Sequence, residues 1–266
     1  MVGKDAELPA EQLNGTTINY EVTGAGEPLV LVHGAWSELH SWGFVAPALA
    51  ESFRVIAFDL RGHGLSTLDP PDAGTVHDDV ADLAALISHL GLGPVHLAGN
   101  SSGACIVLRF ATEHPELVRS VSAHEPPVGS SPDKEPALQA VYELLQAGEH
   151  ETAARRFINE VALGPGAWEA LPPPLQAGML MHAAAFLGQL NDPDALELDL
   201  EALGRLETRV LLSGGTQSPP QFAPILDRIA AHAPRFERFT FPEAGHVPHV
   251  SHPVEYVAMA KDFLRA

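Results

Sequence analysis

Short apolar runs that alternate with helical patterns narrow the folds open to this chain. The segment 17–22 alternates polar and apolar residues, as an exposed edge strand does. The other runs are rich in Val, Leu and Ile, which is typical of interior strands in a parallel sheet covered on both faces. They occupy 28–33, 53–58, 95–98, 118–123, 208–212 and a short stretch before Pro242.

Helical patterns fill most gaps between these strands. They cover 76–90, 102–114, 219–232 and 253–264. Strands that alternate with helices predict an α/β fold, with a mostly parallel central sheet flanked by helices. In folds of this kind, ligands bind beyond the carboxyl ends of the strands.

One region interrupts the alternation. Between about residue 127 and residue 203 we find no convincing strand, and helical patterns occur at 136–146, 151–161 and 175–190. We therefore expect a core formed by 1–126 and 204–266, with a helical cap, 127–203, inserted between two strands of the sheet.

Charge and cysteine content restrict the partners. The chain has 15 Lys and Arg against 34 Asp and Glu, a net charge of −19 that would repel nucleic acid and anionic membranes. With one cysteine, Cys105, neither an intrachain disulfide nor a multi-cysteine metal site can form. No signal-like segment or membrane span is visible, so we expect a cytoplasmic protein. The oligomeric state stays open, a homodimer included.

The stretch Gly99-Asn-Ser-Ser-Gly103 lies between a predicted strand and a predicted helix. It fits G-x-S-x-G, a strained turn that presents a nucleophile at its centre, although an ordinary glycine turn is the alternative. In the first interpretation Ser101 is at the apex and attacks. Ser102 then opens the helix, and its unpaired N–H faces the developing negative charge.

A serine nucleophile needs a base and an oxyanion hole. His246 follows the last predicted strand in a loop shaped by Pro and Gly, which favours it over His249 and His252 as the base. The N–H of Ala35, after an early strand, is placed to be the second oxyanion donor. Its neighbour Trp36 either lines the pocket or packs in the core.

These motifs together resemble the α/β-hydrolase superfamily, over about residues 17–263. The resemblance is carried by His33-Gly-Ala-Trp36, Asp59-Leu-Arg-Gly-His-Gly-Leu-Ser66, Gly99-Asn-Ser-Ser-Gly103 and Gly245-His246. It implies the α/β-hydrolase fold and a serine hydrolase. It also implies that Arg61 and His63 hold a structural loop and do not catalyse.

The acid departs from the commonest pattern of that superfamily. Many members carry an aspartate after the penultimate strand, where this chain has the neutral Gln217. Asp227, the nearest acid downstream, falls within a predicted helix and out of reach. Glu125 ends the predicted strand that follows the helix 102–114. Certain dehalogenases and the zearalenone lactonases place their acid on that strand. We therefore expect Glu125 to be the acid, with a surface glutamate as the alternative.

The chain is more closely similar to the zearalenone lactonases. The similarity lies in the serine-serine-glycine elbow, the turn Ala123-His-Glu-Pro-Pro127, the run Val250-Ser-His-Pro253 and the turn Gly166-Ala-Trp-Glu-Ala170. The rest of the cap matches poorly. The resemblance therefore implies how the catalytic triad of Ser101, His246 and Glu125 is arranged, but it does not imply the substrate.

The predicted function is hydrolysis of small-molecule carboxylic esters or lactones, without a metal or an organic cofactor. Apolar cap residues that face the pocket would suit a hydrophobic substrate, and the candidates, with Trp36, are Trp168, Met179, His182 and Phe186. Carbon–carbon bond hydrolysis and cofactor-free perhydrolysis use the same triad and stay open. A ligand-binding receptor of the same fold is a further alternative.

Overall fold

One eight-stranded sheet organises the residues that the computed structural model describes, 10–265. The strand order is β1-β2-β4-β3-β5-β6-β7-β8. Strand β2 runs antiparallel to β1 and β4, and all other neighbours are parallel. The strands are β1 (Ala10–Leu13), β2 (Thr16–Thr23), β3 (Glu27–Val32), β4 (Phe53–Phe58), β5 (Val95–Asn100), β6 (Val118–His124), β7 (Arg209–Gly215) and β8 (Glu237–Phe241).

Helices cover both faces of this sheet. The α-helices are α1 (Ala46–Leu49), α2 (Val76–His89), α3 (Ser102–Glu113), α4 (Pro136–Gln146), α5 (His150–Arg156), α6 (Ala167–Ala170), α7 (Pro173–Leu180), α8 (Ala183–Asn191), α9 (Leu200–Arg205), α10 (Phe222–His232), α11 (Pro248–Ser251) and α12 (Pro253–Arg265). Two 3₁₀ turns, Leu39–Phe44 and Pro115–Leu117, and one π-helix, Phe157–Ala162, complete the regular structure. None of the helices between residues 10 and 265 is long and apolar enough to span a bilayer.

The predicted fold class is confirmed, and each predicted strand is present within a few residues of its expected bounds. The sequence patterns did not reveal β1, a short edge strand. They also fused α7 and α8 into one helix, which the structure divides at His182. At this break the ring of His182 accepts a hydrogen bond from the N–H of Gly64, a residue of the core (3.3 Å).

The order of the parallel strands brings four loops to one edge of the sheet. Strands β5, β6, β7 and β8 are successive neighbours, and Asn100 pairs with His124, which pairs in turn with Ser213. The residues that follow these strands therefore meet at the shared carboxyl edge, where ligands bind in folds of this kind.

Two apolar layers fix the sheet from above and below. One is built from α2, α3, α9 and α10, whose apolar faces pack on the strands. The other joins α12 to the 3₁₀ turn Leu39–Phe44. A third cluster lies within the helical segment between β6 and β7, and it includes Trp36 from the core. Burial of apolar side chains in these layers supplies the main stabilisation.

The turn between β5 and α3 depends on backbone contact that only glycine permits. A Cβ atom on Gly103 would lie 2.3 Å from the His33 carbonyl oxygen and 2.5 Å from that of Val32. A Cβ atom on Gly99 would lie 2.5 Å from the Gly103 carbonyl oxygen. The start of α3 is therefore pressed directly against β3 and β5.

We predict that Gly103→Ala lowers the free energy of unfolding by about 2 kcal/mol or more, because the methyl group must displace backbone atoms. The measurement is urea unfolding followed by circular dichroism. Gly178→Ala in α7 is the matched control, since nothing lies within 4 Å of a Cβ atom there. It should leave stability unchanged or raise it by up to about 1 kcal/mol. Equal effects of both substitutions would contradict the close-contact account.

Candidate active site

Ser101 lies in a strained turn between the last residue of β5 and the first residue of α3. Its φ angle is 56°, in a region that non-glycine residues rarely adopt. Its N–H donates to the His124 carbonyl oxygen (2.9 Å), which fixes the strained backbone. Strain held by surrounding contacts is frequent at functional sites, and here it presents the serine side chain at the apex of the turn.

Glu125 follows β6 and is held from both ends. Its φ angle is also positive, at 44°, and its N–H donates to the Ser213 carbonyl oxygen (3.0 Å). Its Oε1 accepts a hydrogen bond from the Gly215 N–H (2.8 Å), and the side chain is only 1% exposed. The carboxyl group is therefore buried at the carboxyl edge of the sheet, with one oxygen already occupied.

The other carboxyl oxygen binds His246. The Nδ1 atom of His246 lies 2.7 Å from Glu125 Oε2, and the ring stacks on Phe222 with 4.3 Å between centroids. Because an ionised carboxylate can only accept, Nδ1 carries the proton. The second ring nitrogen, Nε2, is then free to accept a proton from a nucleophile.

The charge state of Glu125 suits this arrangement. Burial is the largest single influence and acts to raise the pKa of Glu125, but the hydrogen bond from His246, together with the other polar groups around the carboxyl group, outweighs it and holds that pKa below its ordinary value. An ionised carboxylate so placed can stabilise positive charge on the imidazole ring.

Ser101 and His246 line one cavity, which we call the main cavity. Its wall also includes Ala35, Ser102 and Phe222. The hydrogen bonds among residues 10–265 do not include one from Ser101 Oγ to His246. Such bonds are often long before substrate binds, so the shared cavity is the relevant observation.

Two backbone N–H groups are suited to bind an oxyanion at this cavity. Ser102 is the first residue of α3, and the first N–H groups of a helix have no carbonyl partner within the helix. Ala35 lies beyond β3 and lines the same cavity. A Cβ atom on Gly34 would lie 3.0 Å from the Cβ atom of Ser101, so the two segments are in contact.

The predicted pocket residues separate into two groups. Phe186 lines the main cavity, as expected. Trp36, Trp168, Met179 and His182 are not among its lining residues, so the structure corrects those four assignments. Trp36 packs on Phe186 (5.3 Å between centroids), and Trp168 and Met179 pack within the helical segment between β6 and β7. Their apolar character alone could not show which face of each helix they occupy.

The helical segment instead supplies other apolar residues to the main cavity. The sequence patterns missed them, because helical periodicity identifies a buried face and not a cavity wall. They are Pro127, Leu138, Phe157, Val161, Ala162, Leu190 and Leu196.

The alternative acids and bases lie elsewhere. Gln217 follows β7, where its N–H donates to the Ala244 carbonyl oxygen (2.9 Å). Asp227 is exposed on α10, 3.2 Å from Arg238. His249 is buried against Trp42, with 4.4 Å between ring centroids. His252 contacts only Ser251 Oγ through its ring (2.9 Å) among the hydrogen bonds of residues 10–265.

The loop after β4 is held by buried polar groups. Asp59 accepts hydrogen bonds from Asn19 (2.7 Å) and from the N–H groups of Leu39 (2.8 Å) and Leu65 (3.0 Å). Arg61 forms a bidentate pair with Asp82 (2.7 and 2.8 Å). These contacts support the backbone next to the site, and the pair with Asp82 occupies the Arg61 guanidinium group.

His124 is a neighbour of the site that sequence patterns did not single out. It is 1% exposed, its Nδ1 bonds Ser213 Oγ (2.9 Å), and its Nε2 lies 3.7 Å from Glu125 Oε2. Burial lowers the pKa of His124 to about 4, so the ring is neutral near pH 7. Its place directly before the expected acid, in Ala123-His-Glu125, was the available signal.

His124, Glu125 and His246 also place three possible metal-ligand atoms within 4.8 Å of one another. However, the 2.7 Å between His246 Nδ1 and Glu125 Oε2 is a hydrogen-bond distance. Two ligands of one tetrahedral zinc ion, each about 2.1 Å from the metal, would lie about 3.4 Å apart. The geometry therefore favours a proton over an ion between these two groups.

The chain belongs to the alpha/beta hydrolase family, which its sequence matches over residues 29–260. The superfamily expected from the motifs is thereby confirmed. The similarity to zearalenone lactonases remains a prediction.

Individual relatives agree with this membership. The pimeloyl-[acyl-carrier protein] methyl ester esterase of Aeromonas hydrophila is 27% identical, over 93% of this chain and 99% of that protein. The dihydrolipoyllysine-residue acetyltransferase component of the acetoin cleaving system of Pseudomonas putida is 42% identical over 39% of this chain. The match spans only 28% of that protein's length. The enol-lactonase of Burkholderia xenovorans LB400 shares the fold, with a TM-score of 0.84, 18% identity and coverage of 97% of this chain and 100% of that one.

We predict that buried histidines make the protein less stable in acid. Burial lowers the pKa of His249 to about 3, against about 6.5 when it is unfolded. Between these values the unfolded chain binds the extra proton, so stability falls as the pH drops. From pH 7 to pH 5 this one group should cost about 2 kcal/mol. His249→Phe, which keeps the contact with Trp42, should flatten the decline.

The measurement is urea unfolding at a series of pH values. Val254→Phe is the control, since Val254 is an exposed apolar residue and the change adds a phenyl ring without removing a titratable group. An unchanged slope for His249→Phe would show that His249 is not held neutral in the folded protein.

Proposed function

We propose that this protein is a serine hydrolase that cleaves carboxylic esters or lactones through an acyl-enzyme on Ser101. The observation that carries the proposal is the 2.7 Å hydrogen bond from His246 to the buried Glu125, on a ring that lines the same cavity as Ser101. A nucleophile, a base and a group that orients the base form the arrangement needed for acyl transfer.

In the first half of the proposed reaction, Ser101 Oγ attacks the substrate carbonyl carbon and gives its proton to His246 Nε2. The carbonyl oxygen becomes an oxyanion, which accepts hydrogen bonds from the N–H groups of Ala35 and Ser102. The tetrahedral species then collapses. The bond to the leaving oxygen breaks, and His246 returns the proton to that oxygen, releasing an alcohol or, in a lactone, freeing the far end of the opened ring.

In the second half, water takes the place of the serine hydroxyl. His246 accepts a proton from the water as its oxygen attacks the acyl carbon, and then returns a proton to Ser101 Oγ as the acid leaves. Glu125 stays ionised throughout. It keeps Nδ1 of His246 protonated, and its negative charge stabilises the positive charge of the imidazolium in both halves of the reaction.

The substrate should be largely apolar on one side. Phe157, Val161, Phe186 and Leu190 face the main cavity from the helical segment between β6 and β7. We infer that this segment, 127–203, serves as a cap over the site. A methyl ester esterase and an enol-lactonase are among the similar proteins, which supports an ester or lactone carbonyl as the point of attack.

The position of the acid supports the similarity to zearalenone lactonases. Glu125 follows β6, and Gly214 and Gly215 are the last two residues of the neighbouring strand β7. A Cβ atom on Gly214 would lie 3.2 Å from Glu125 Oε1, so the end of β7 leaves room for the carboxyl group. A carbon–carbon bond hydrolase with the same triad would share this geometry, and product analysis distinguishes the two.

We predict that Ser101→Ala lowers kcat at least about a thousandfold, because the covalent step is lost. The measurement is hydrolysis of p-nitrophenyl esters and, by pH-stat, of small and macrocyclic lactones. Ser102→Ala is the matched control. It keeps the backbone N–H, so it should retain most activity.

The reverse order of the two serine variants would place the nucleophile at Ser102. A single covalent event without turnover in the unmodified protein would indicate a receptor. Turnover confined to carbon–carbon substrates would replace the ester proposal.

We predict that Glu125→Gln lowers kcat by about three to four orders of magnitude, because an amide cannot stabilise the imidazolium. Gln217→Ala is the control at the position where many members of the superfamily carry the acid, and it should stay within a few-fold of the unmodified protein. Steady-state kinetics on one ester checks both. If Gln217→Ala were the damaging substitution, Glu125 would not be the acid.

A further inference from the structure

A second cavity adjoins the main cavity, and we call it the side cavity. Ala35, Ser102 and Gln189 line both. Ser101 and His246 line only the main cavity, whereas Arg61, His63 and Asp79 line only the side cavity. The two proposed oxyanion donors thus lie where the cavities meet.

The way the two cavities share these residues indicates which cavity each part of a bound substrate would occupy. His246 must reach the leaving oxygen to protonate it, so the leaving group occupies space that His246 lines, which is the main cavity. In the proposed reaction the carbonyl oxygen binds the N–H groups of Ala35 and Ser102, which line both cavities. The acyl part, on the other side of the carbonyl carbon from the leaving group, would then extend towards the side cavity.

His63, which lines the side cavity, carries a buried hydrogen-bond acceptor that is not used within the protein. Its Nδ1 lies 3.1 Å from the Arg61 carbonyl oxygen, which can only accept, so Nδ1 carries the proton. Burial, together with the nearby His33 and His182, holds the pKa of His63 well below its ordinary value, so the ring is neutral. Its Nε2 is then an acceptor. His63 is 7% exposed, and this atom has no hydrogen-bond partner among residues 10–265.

Asp79 adds a carboxyl group to the same wall. Arg61, the nearby cation, pairs with Asp82 (2.7 Å) and Asp78 (3.3 Å). Burial and the neighbouring Asp82 raise the pKa of Asp79 well above its ordinary value. A carboxyl group in this setting is better matched by a neutral hydrogen-bonding group than by a second anion.

We propose that the side cavity is a polar subsite in which His63 and Asp79 bind a hydroxyl or amide group on the acyl part of the substrate. The inference rests on the proposed ester or lactone hydrolysis at Ser101. It narrows the substrate class to acyl groups that carry a hydrogen-bond donor a few bonds from the scissile carbonyl. An apolar leaving group would fill the main cavity.

The test compares three p-nitrophenyl esters, of butyric, 3-hydroxybutyric and 3-methoxybutyric acid. The unmodified protein should prefer the hydroxy ester to the butyrate by about five- to tenfold in kcat/KM, which is the worth of one hydrogen bond. The methoxy ester, which has no donor, should show no such preference.

Substitutions then locate the preference. Asp79→Leu should reduce the ratio of hydroxy ester to butyrate to about one. Asp79→Asn, which keeps neutral hydrogen-bonding groups, should preserve part of it. Asp227→Leu, an exposed carboxylate outside both cavities, is the matched control and should leave the ratio unchanged. Thermal melting establishes that each variant is folded.

Equal rates for the hydroxy and methoxy esters, or a ratio that survives Asp79→Leu, would overturn the subsite. Calorimetry with Ser101→Ala and ketone analogues, in which a CH2 group replaces the ester oxygen, separates this outcome from a failure of the proposed function, because these analogues cannot be hydrolysed. Tighter binding of the hydroxy ketone than of the unsubstituted ketone supports the subsite even if Ser101 proves not to be the nucleophile. Equal affinities overturn it.

Discussion

The hydrogen bond between Glu125 and His246 is the interaction on which the rest of the site depends. It joins the loop after β6 to the loop after β8, and the other oxygen of Glu125 binds the Gly215 N–H at the end of β7. One carboxylate therefore links the ends of three adjacent strands. A buried carboxylate is costly unless both oxygens are paired, and here both are. The sheet order and register supply that pairing.

Glycines around the site allow neighbouring backbone segments to come into direct contact. A Cβ atom on Gly215 would lie 2.2 Å from the Ala244 carbonyl oxygen, so the loop that carries His246 packs directly on the end of β7. Gly103 gives the elbow the same close contact with β3. These contacts place Ser101 and His246 against one cavity without long side chains to span the gap. The last residue of β7, Gly215, binds the carboxyl group of Glu125 through its N–H, and the loop that follows carries no carboxylate of its own.

Sequence patterns correctly predicted the features that are determined by residues close together in the chain. The apolar runs located the strands, and the turn Gly99-Asn-Ser-Ser-Gly103 located the elbow, because both signals reside in neighbouring residues. Because Gln217 is not an acid, the sequence predicts Glu125 in that role, and the structure places Glu125 Oε2 2.7 Å from His246 Nδ1. The cavity-lining residues of the helical segment between β6 and β7 were harder to predict. Trp168 and Met179 resemble Phe186 in apolar character, yet only Phe186 faces the main cavity, since tertiary packing selects the face. The unused acceptor of His63 emerges only from its contact with the Arg61 carbonyl group.

Covalent labelling tests the central claim, that His246 and Glu125 activate Ser101, most directly. The protein would be treated with a fluorophosphonate, which reacts with activated serines, and the labelled peptide would be identified by mass spectrometry. The account predicts one adduct, on Ser101, whose rate of formation falls by orders of magnitude in Glu125→Gln. An adduct on Ser102, or labelling of Ser101 at an unchanged rate in Glu125→Gln, would contradict it.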